Sequence, residues 1–214
     1  VAFKEFYFDK RSEYFDDYAR RYTDLPMLVV LESKTLPDGS VVQVPGRYLR
    51  ANDFNGKLGQ QNNPEWKTMA FDSDGRAVLP HGSIGFRWGS EGRDDAGKWN
   101  LEAKEARHGG EVKLKLSVLE DGSQAHEIVD VGFPYFGGIA TPHFTANEQQ
   151  GVVSRARVPA VRLRLGSDGE YSEALVATVF DLQAAQYGID RGLGSGAASY
   201  DDNAPYTPAW AEQI

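Results

Sequence analysis

Cysteine is absent from the 214 residues. Its absence removes disulfides, thiolate nucleophiles, zinc–thiolate sites and iron–sulfur ligation from the chemistry this chain can supply. Histidine is scarce: His81, His108, His126 and His143 stand far apart. No pair has the i, i+4 spacing of a helical metal site, and HExxH does not occur. Long apolar runs are missing. The longest, residues 27–31, falls far short of the ~20 residues a membrane span needs. Basic charge is in deficit, with 23 Lys and Arg against 31 Asp and Glu and a net charge of −8. A chain this acidic is a poor binder of phosphate backbones, so no nucleic-acid partner is expected. Neither GxSxG nor Ser-x-x-Lys is found, which removes two common nucleophile motifs.

What is present is ordinary for a globular protein: 41% hydrophobic and 25% charged residues, enough to bury a sizeable core. From Ser12, Tyr14, Phe15, Tyr18 and Tyr22 recur at helical spacing and predict one aromatic helix face. Pro26 ends the pattern. Residues 3–8 read as the end of an earlier helix, and residues 27–32 as a buried strand. Four Asp-Gly pairs follow, at Asp38-Gly39, Asp74-Gly75, Asp121-Gly122 and Asp168-Gly169. Asp-Gly takes the positive φ angles of tight hairpins, so the centre reads as hairpins. Residues 66–71 and 76–79 flank one turn, and residues 162–165 and 174–179 another. Residues 113–118 alternate Lys, Leu, Lys, Leu, Ser, Val, which predicts a strand with Lys113, Lys115 and Ser117 on a wet face. Residues 52–64, 90–97 and 132–150 read as long loops. Residues 181–187 read as a short helix closed by Gly188, and residues 192–203 as irregular.

The organisation expected is therefore α+β: helical over 1–26, hairpin-rich β over 27–179, helix and loop over 180–214. Thr207-Pro208 opens a helix that has only residues 209–214 to run in. A helix that short is marginal alone, which predicts that the chain is a piece of something larger.

Several motifs invite functional readings that the physics does not favour. Gly192, Gly194 and Ala197 spell a dinucleotide loop, but a helix precedes it where a strand is required. Asp72, Asp74 and Gly75 resemble the start of a calcium loop, yet Ser83 stands where its bidentate Glu belongs. Arg155, Arg157, Arg162 and Arg164 could hold an anion. A charged strand edge is the better reading, with Pro159 shifting the alternation so that the two pairs need not share a face. Trp66, Trp88, Trp99, Phe86, Phe133, Tyr135 and Phe136 could stack on sugars, but core or interface packing is the commoner use of such residues. Glu111, Glu120, Glu127, Asp201 and Asp202 are the available acids, and no spacing selects a catalytic pair. No residue is thus assigned as catalytic, cofactor-binding or metal-ligating.

Several strings are informative together: FYFDKRSEYFDDYARRYTDLPMLVVLE, LGQQNNPEWKTMAFD, GSIGFRWG, VGFPYFGG, ATVFDLQAAQYGIDRGL and SYDDNAPYTPAWAEQI. In order and nearly end to end, they resemble the alpha (catalytic) chains of membrane-associated respiratory nitrate reductases, in the molybdopterin oxidoreductase family. The resemblance implies an internal segment of a much longer chain, part of or inserted in an α/β molybdopterin-binding domain. It implies a parent that reduces nitrate to nitrite at molybdenum bound by two molybdopterin guanine dinucleotides. It also implies a [4Fe–4S] cluster held by His and Cys upstream of this segment, and an aspartate upstream that ligates molybdenum. None of those ligand motifs maps onto a residue here. The implied partners are the rest of the alpha chain, an iron–sulfur beta subunit and a membrane haem subunit. The implied location is the cytoplasmic face of the membrane, and the implied role of this segment is structural support without catalysis of its own. The rival reading is a free-standing β-rich binding module, for instance for carbohydrate.

Overall fold

The computed structural model describes residues 13–35, 39, 41–54, 67–81, 104–105, 112–122, 124–133, 154–167, 169–186, 191 and 193. Helix α1, Glu13–Tyr22, opens on Glu13 and Asp16 and closes on Arg20 and Arg21, each sign at the end where the helix dipole favours it. Two i, i+4 ion pairs, Asp16–Arg20 at 2.7 Å and Asp17–Arg21 at 2.6 Å, reinforce it. Thr23 stops it: its hydroxyl donates to the Ala19 carbonyl at 2.6 Å and accepts from the Leu25 N–H at 3.2 Å.

The strands follow in order. They are β1 (Leu28–Thr35), β2 (Val41–Tyr48), β3 (Ala70–Phe71), β4 (Ala77–Val78), β5 (Pro80–His81), β6 (Lys104–Glu105), β7 (Glu127–Phe133), β8 (Ser154–Ser167) and β9 (Glu170–Thr178). Helix α2, Val179–Gln186, follows β9 directly. Five strands close a barrel in the order β1–β2–β7–β8–β9, with β9 returning to β1. Four seams are antiparallel. The fifth, β2 to β7, is parallel and made by the single pair Gln43–Val131. Closure gives each barrel strand a neighbour on both sides, which reduces the aggregation hazard of exposed strands, with the β2–β7 seam the weakest. The β3–β4 and β5–β6 pairs form separate ribbons.

Where they pair, over residues 28–31 and 175–178, β1 and β9 bury both faces. Val29, Leu31, Leu175 and Ala177 join Val131, Phe133, Ala156, Val158 and Ala160 in one cluster, with Leu182 of α2 packed against it. Residues from β1, β7, β8 and β9 meet there, with Tyr48 of β2 at its margin, so this cluster fills the barrel. Its several alanines suit the narrow lumen of a five-stranded closure. Leu28, Val161, Leu165 and Val176 point the other way, into a second cluster with Leu49, Met69, Phe71, Leu79 and Val118. The barrel wall therefore carries an inner and an outer core. Along β8 the buried face changes sides: Ala156, Val158 and Ala160 point inward, Val161 and Leu165 outward. The single strand thus belongs to both layers.

The α+β class stands, with two helices around a strand-rich core among the described residues. Several local expectations are corrected. The aromatic helix face divides: Phe15 packs with Ala19, Leu116 and Phe180, while Tyr14, Tyr18 and Tyr22 face solvent. Residues 113–118 are not a half-wet strand. Lys115 and Ser117 are 1% and 3% exposed, because Ser117 is drawn into the buried polar network described below. The stretch read as a loop from residue 132 begins inside β7, and residues 51–54 form a 3-10 turn. Pro159 leaves the ladder intact: Ile128–Pro159 falls within an unbroken β7–β8 register. Arg157 lies on the face opposite Arg162 and Arg164, because it is odd-numbered and they are even-numbered along one strand. The helix ends read at residues 3–8 and 207–214 and the irregular stretch to residue 203 lie outside the described residues, apart from residue 193.

The β8–β9 hairpin yields a paired test. Gly166 has φ +96 and a Cβ there would collide with the Glu170 carbonyl oxygen, whereas Gly169 has φ +94 and open space around it. Gly169→Ala should cost ~1–2 kcal/mol, the strain of a left-handed alanine. Gly166→Ala should cost clearly more, because backbone must also move. Denaturant unfolding of the two variants compares them, and equal losses would refute the steric account.

Candidate functional site

The most concentrated polar chemistry sits where β9 passes into α2. Thr178 is the N-cap: its Oγ1 accepts the Asp181 N–H at 3.0 Å. The first helical N–H groups are satisfied from outside, Val179 by the Met27 carbonyl and Phe180 by the Leu25 carbonyl, both at 2.9 Å. Asp181 then sits at a position where a carboxylate is favoured by the helix N-terminus, yet it is 0% exposed. Its Oδ1 accepts from the Ser117 hydroxyl at 2.6 Å and from Arg191 Nη1 at 2.5 Å. Its Oδ2 accepts from the Val118 N–H at 3.0 Å and the Thr178 hydroxyl at 2.9 Å. Arg191 Nη2 also donates to Ser117 Oγ at 2.6 Å. Four donors fill the sites a carboxylate offers. This group is a junction between three stretches of chain. It has no lone pair left for a metal or for proton abstraction.

Arg20 makes a second junction. It donates to Asp16 at 2.7 Å, to both Glu120 oxygens at 3.0 Å and to the Leu114 carbonyl. Burial alone would lower its pKa, but the hydrogen bonds and charges of Glu120 and Asp16 outweigh it and raise the value. This junction fastens α1 to residues 114–120. At a third site the Arg47 guanidinium grips Asp53 at 2.6 and 2.8 Å, and the Arg50 N–H donates to the same carboxylate at 2.7 Å. Burial pushes Asp53 upward, but the Arg47 hydrogen bond and the Arg50 N–H prevail and hold it below the usual carboxylate range.

A cleft of about 400 Å³ opens at the end of the barrel covered by α2. Val29, Phe133 and Leu182 form apolar walls, and Asp24, Tyr48, Gln183 and Gln186 supply polar atoms. The Tyr48 hydroxyl donates to Asp24 at 2.8 Å. Burial first, then the hydrogen bond and charge of Asp24, push its pKa up to about 12. The phenol therefore stays neutral. The cleft holds a neutral hydroxyl, committed to Asp24, over an apolar floor.

The residues singled out in the sequence fare as follows. Glu120 serves Arg20, and Glu127 pairs with Arg162 at 2.8 Å. Arg157 lies 3.7 Å from Asp130, and Arg164 covers the Tyr171 ring at 3.6 Å. Arg157, Arg162 and Arg164 are thus engaged by neighbours on the sheet surface. Asp72 caps its own turn, accepting from the N–H groups of Asp74 at 3.0 Å and Arg76 at 2.8 Å, so the calcium-loop resemblance is a hairpin. Phe133 is buried in the lumen at 4% exposure, which takes it out of any sugar platform. The His126 ring nitrogen meets the Gln124 carbonyl at 3.0 Å. Trp66, Phe86, Trp88, Trp99, His108, Glu111, Tyr135, Phe136, His143, Gly192, Gly194, Ala197, Asp201 and Asp202 lie outside the described residues, as do the side chains of His81 and Arg155. Among the described residues no group of three or more His, Cys, Asp or Glu could hold a metal, and no helix is long and apolar enough to cross a membrane. Sequence reasoning missed Asp181 and Ser117. The available signal was Thr178-x-x-Asp181, a capping-box spelling ahead of a helix.

Among the described residues, a small closed barrel is joined to its second helix by one buried carboxylate that accepts from four donors. No model of a known protein family matches the chain. Similarity to individual proteins is extensive. The chain is 53% identical over 216 residues to the respiratory nitrate reductase 1 alpha chain of Escherichia coli (strain K12), across 100% of this chain and 16% of that protein. It is 47% identical to the respiratory nitrate reductase 2 alpha chain of the same organism, with the same coverage. It is 35% identical over 218 residues to the nitrate reductase alpha chain of Bacillus subtilis (strain 168), covering 15% of it. The chain thus corresponds along its whole length to a segment of respiratory nitrate reductase alpha chains and spans about 16% of their length.

The two shifted groups predict stability limits at both ends of the pH scale. Asp53 is depressed in the fold, so its contribution is present above the unfolded carboxylate value and is lost as pH falls through the folded one. Tyr48 is raised, so its contribution is complete below pH 10 and is lost as pH rises toward about 12. Asp53→Asn should flatten the acid limb and Tyr48→Phe the alkaline limb of a thermal-stability profile against pH. A Tyr48→Phe profile that still falls over the alkaline window as the wild type does would contradict the assignment.

Proposed function

We propose that this chain is a structural segment of the catalytic alpha chain of a respiratory nitrate reductase, which supports the region around the molybdenum cofactor and carries out no catalysis alone. The observation that carries the reading is the 53% identity, spread over the whole chain, to a nitrate reductase alpha chain. The chemistry of the residues agrees with a supporting part. The chain has no cysteine, and the described carboxylates that are most buried are committed to internal donors, as Asp181 is. This donor set does not fit a [4Fe–4S] cluster or a molybdenum ligand, so no reaction step is routed through these residues.

In the parent, two-electron reduction of nitrate to nitrite would take place at molybdenum held by two molybdopterin guanine dinucleotides in other parts of the alpha chain. Electrons would arrive through [4Fe–4S] clusters of the alpha chain and an iron–sulfur beta subunit, supplied by a membrane haem subunit. The complex would lie on the cytoplasmic face of the membrane. The contribution of this segment is mechanical: a closed barrel with two cores gives a rigid wall against which cofactor-binding parts keep their geometry.

Asp181 distinguishes support from chemistry. In the full-length enzyme Asp181→Ala should unpair four buried donors at a cost of ~3 kcal/mol or more. The yield of folded, molybdenum-loaded enzyme should drop. The kcat per bound molybdenum and the KM for nitrate should stay as in the wild type. A variant that loads fully yet turns over slowly per molybdenum would overturn the supporting role.

A further inference from the structure

The cleft beside α2 carries polar groups that the fold does not use. Val179, Leu182, Gln183 and Gln186 line it at i, i+3, i+4 and i+7, a single face of the helix. The first two are apolar. The last two are half-buried and end in amides that make no hydrogen bond among the described residues. Asp24 is exposed where the cleft opens. Its Oδ2 accepts from the Tyr48 hydroxyl at 2.8 Å, and its Oδ1 has no partner among the described residues.

The surrounding charges favour one sign of ligand. No residue lining the cleft is basic. Glu32 lies against Gly46, one of the lining residues. Of the nearby cations, Arg47 is held by Asp53, and Arg50 lies 5.5 Å from the Tyr48 ring centroid, outside the lining. The last turn of a helix carries partial negative charge. Helix α1 answers it with Arg20 and Arg21, whereas the last turn of α2, which bears Gln183 and Gln186, has no basic residue.

We infer that this cleft is a binding site for a small organic cation, an alkylguanidinium or alkylammonium, whose stem lies on the apolar walls and whose charged head meets Asp24. Its volume of about 400 Å³ falls within the range of small-ligand sites. The stem gains by leaving water along Val29, Phe133 and Leu182. The head gains a charge-assisted hydrogen bond to the open carboxylate oxygen. A neutral ligand of the same shape gains only the first. An anion would face Asp24 with no lining cation to offset it. The inference goes beyond the supporting role, and rests on the alpha-chain reading only for the protein on which it is tested.

The test titrates n-butylguanidinium into the full-length alpha chain, with binding read by saturation-transfer NMR. Binding is expected on the order of 1 mM, the scale for so small a ligand. The uncharged near-isostere n-butylurea should bind more weakly by about tenfold, the loss of one charge-assisted contact. Asp24→Asn keeps an acceptor for the Tyr48 hydroxyl and should weaken n-butylguanidinium binding by a similar factor. Gln183→Lys, which places a like charge in the cleft, should abolish it. No binding to the full-length chain would overturn the inference, including the case in which another part of the polypeptide already fills the cleft. Equal binding of the urea, or binding that neither variant changes, would overturn it as well. Nitrate turnover is not read, so this outcome and that of the Asp181 test stand apart.

Discussion

The carboxylate of Asp181 is the constraint on which the rest depends. A charge with no exposed surface is tolerable only when its donors are fixed, and fixing them positions three parts of the chain at once. Ser117 and Val118 must lie over the first turn of α2, β9 must stop at Thr178, and Arg191 must return to the junction. That arrangement sets α2 on the end of the barrel. It also explains why residues 114–118 are buried throughout, despite a sequence that alternates charge and hydrophobe.

From this junction the two cores follow. The inner one is closed at one end by Leu182. The outer one lies between the barrel wall and the chain around Leu49, Met69, Phe71 and Val118. Val118 connects the two kinds of order: its N–H serves the carboxylate while its side chain packs in the outer core. Arg20 repeats the logic on a smaller scale, tying α1 to the segment that Asp181 also holds.

The turns were legible in the sequence, and the closure was not. Asp38-Gly39, Asp74-Gly75 and Asp168-Gly169 each sit between paired strands, and their glycines have positive φ. Local chemistry sufficed there because a tight turn needs only its own residues. The helix over 13–22 was legible from spacing, and the one over 179–186 was read at 181–187, two residues late because the Thr178 cap was not used. The barrel was hidden because its seams join distant residues, and the paired halves of β1 and β9, residues 28–31 and 175–178, are buried on both faces and show no alternation to read. The division of the aromatic helix face was hidden for a related reason: periodicity places Phe15 and Tyr14 near one another but does not say which has a partner across the fold. Asp181 was passed over because a single aspartate near a helix start is common, and its burial depends on Ser117, which is distant in the chain, as well as on the nearer Arg191.

The β1–β9 seam has a consequence for how the protein is made. It joins Leu28 to Thr178, so β1 must be synthesised long before its closing partner exists. At ~5–20 residues per second, translation takes on the order of ten seconds to cover that interval. Throughout it one side of β1, a strand rich in Leu and Val, lacks the partner it will finally have. The β1–β2 hairpin can form at once, but the barrel cannot close until β9 has left the ribosome. Successful production of this unit thus requires a nascent chain that keeps an incomplete sheet from pairing with the wrong strand.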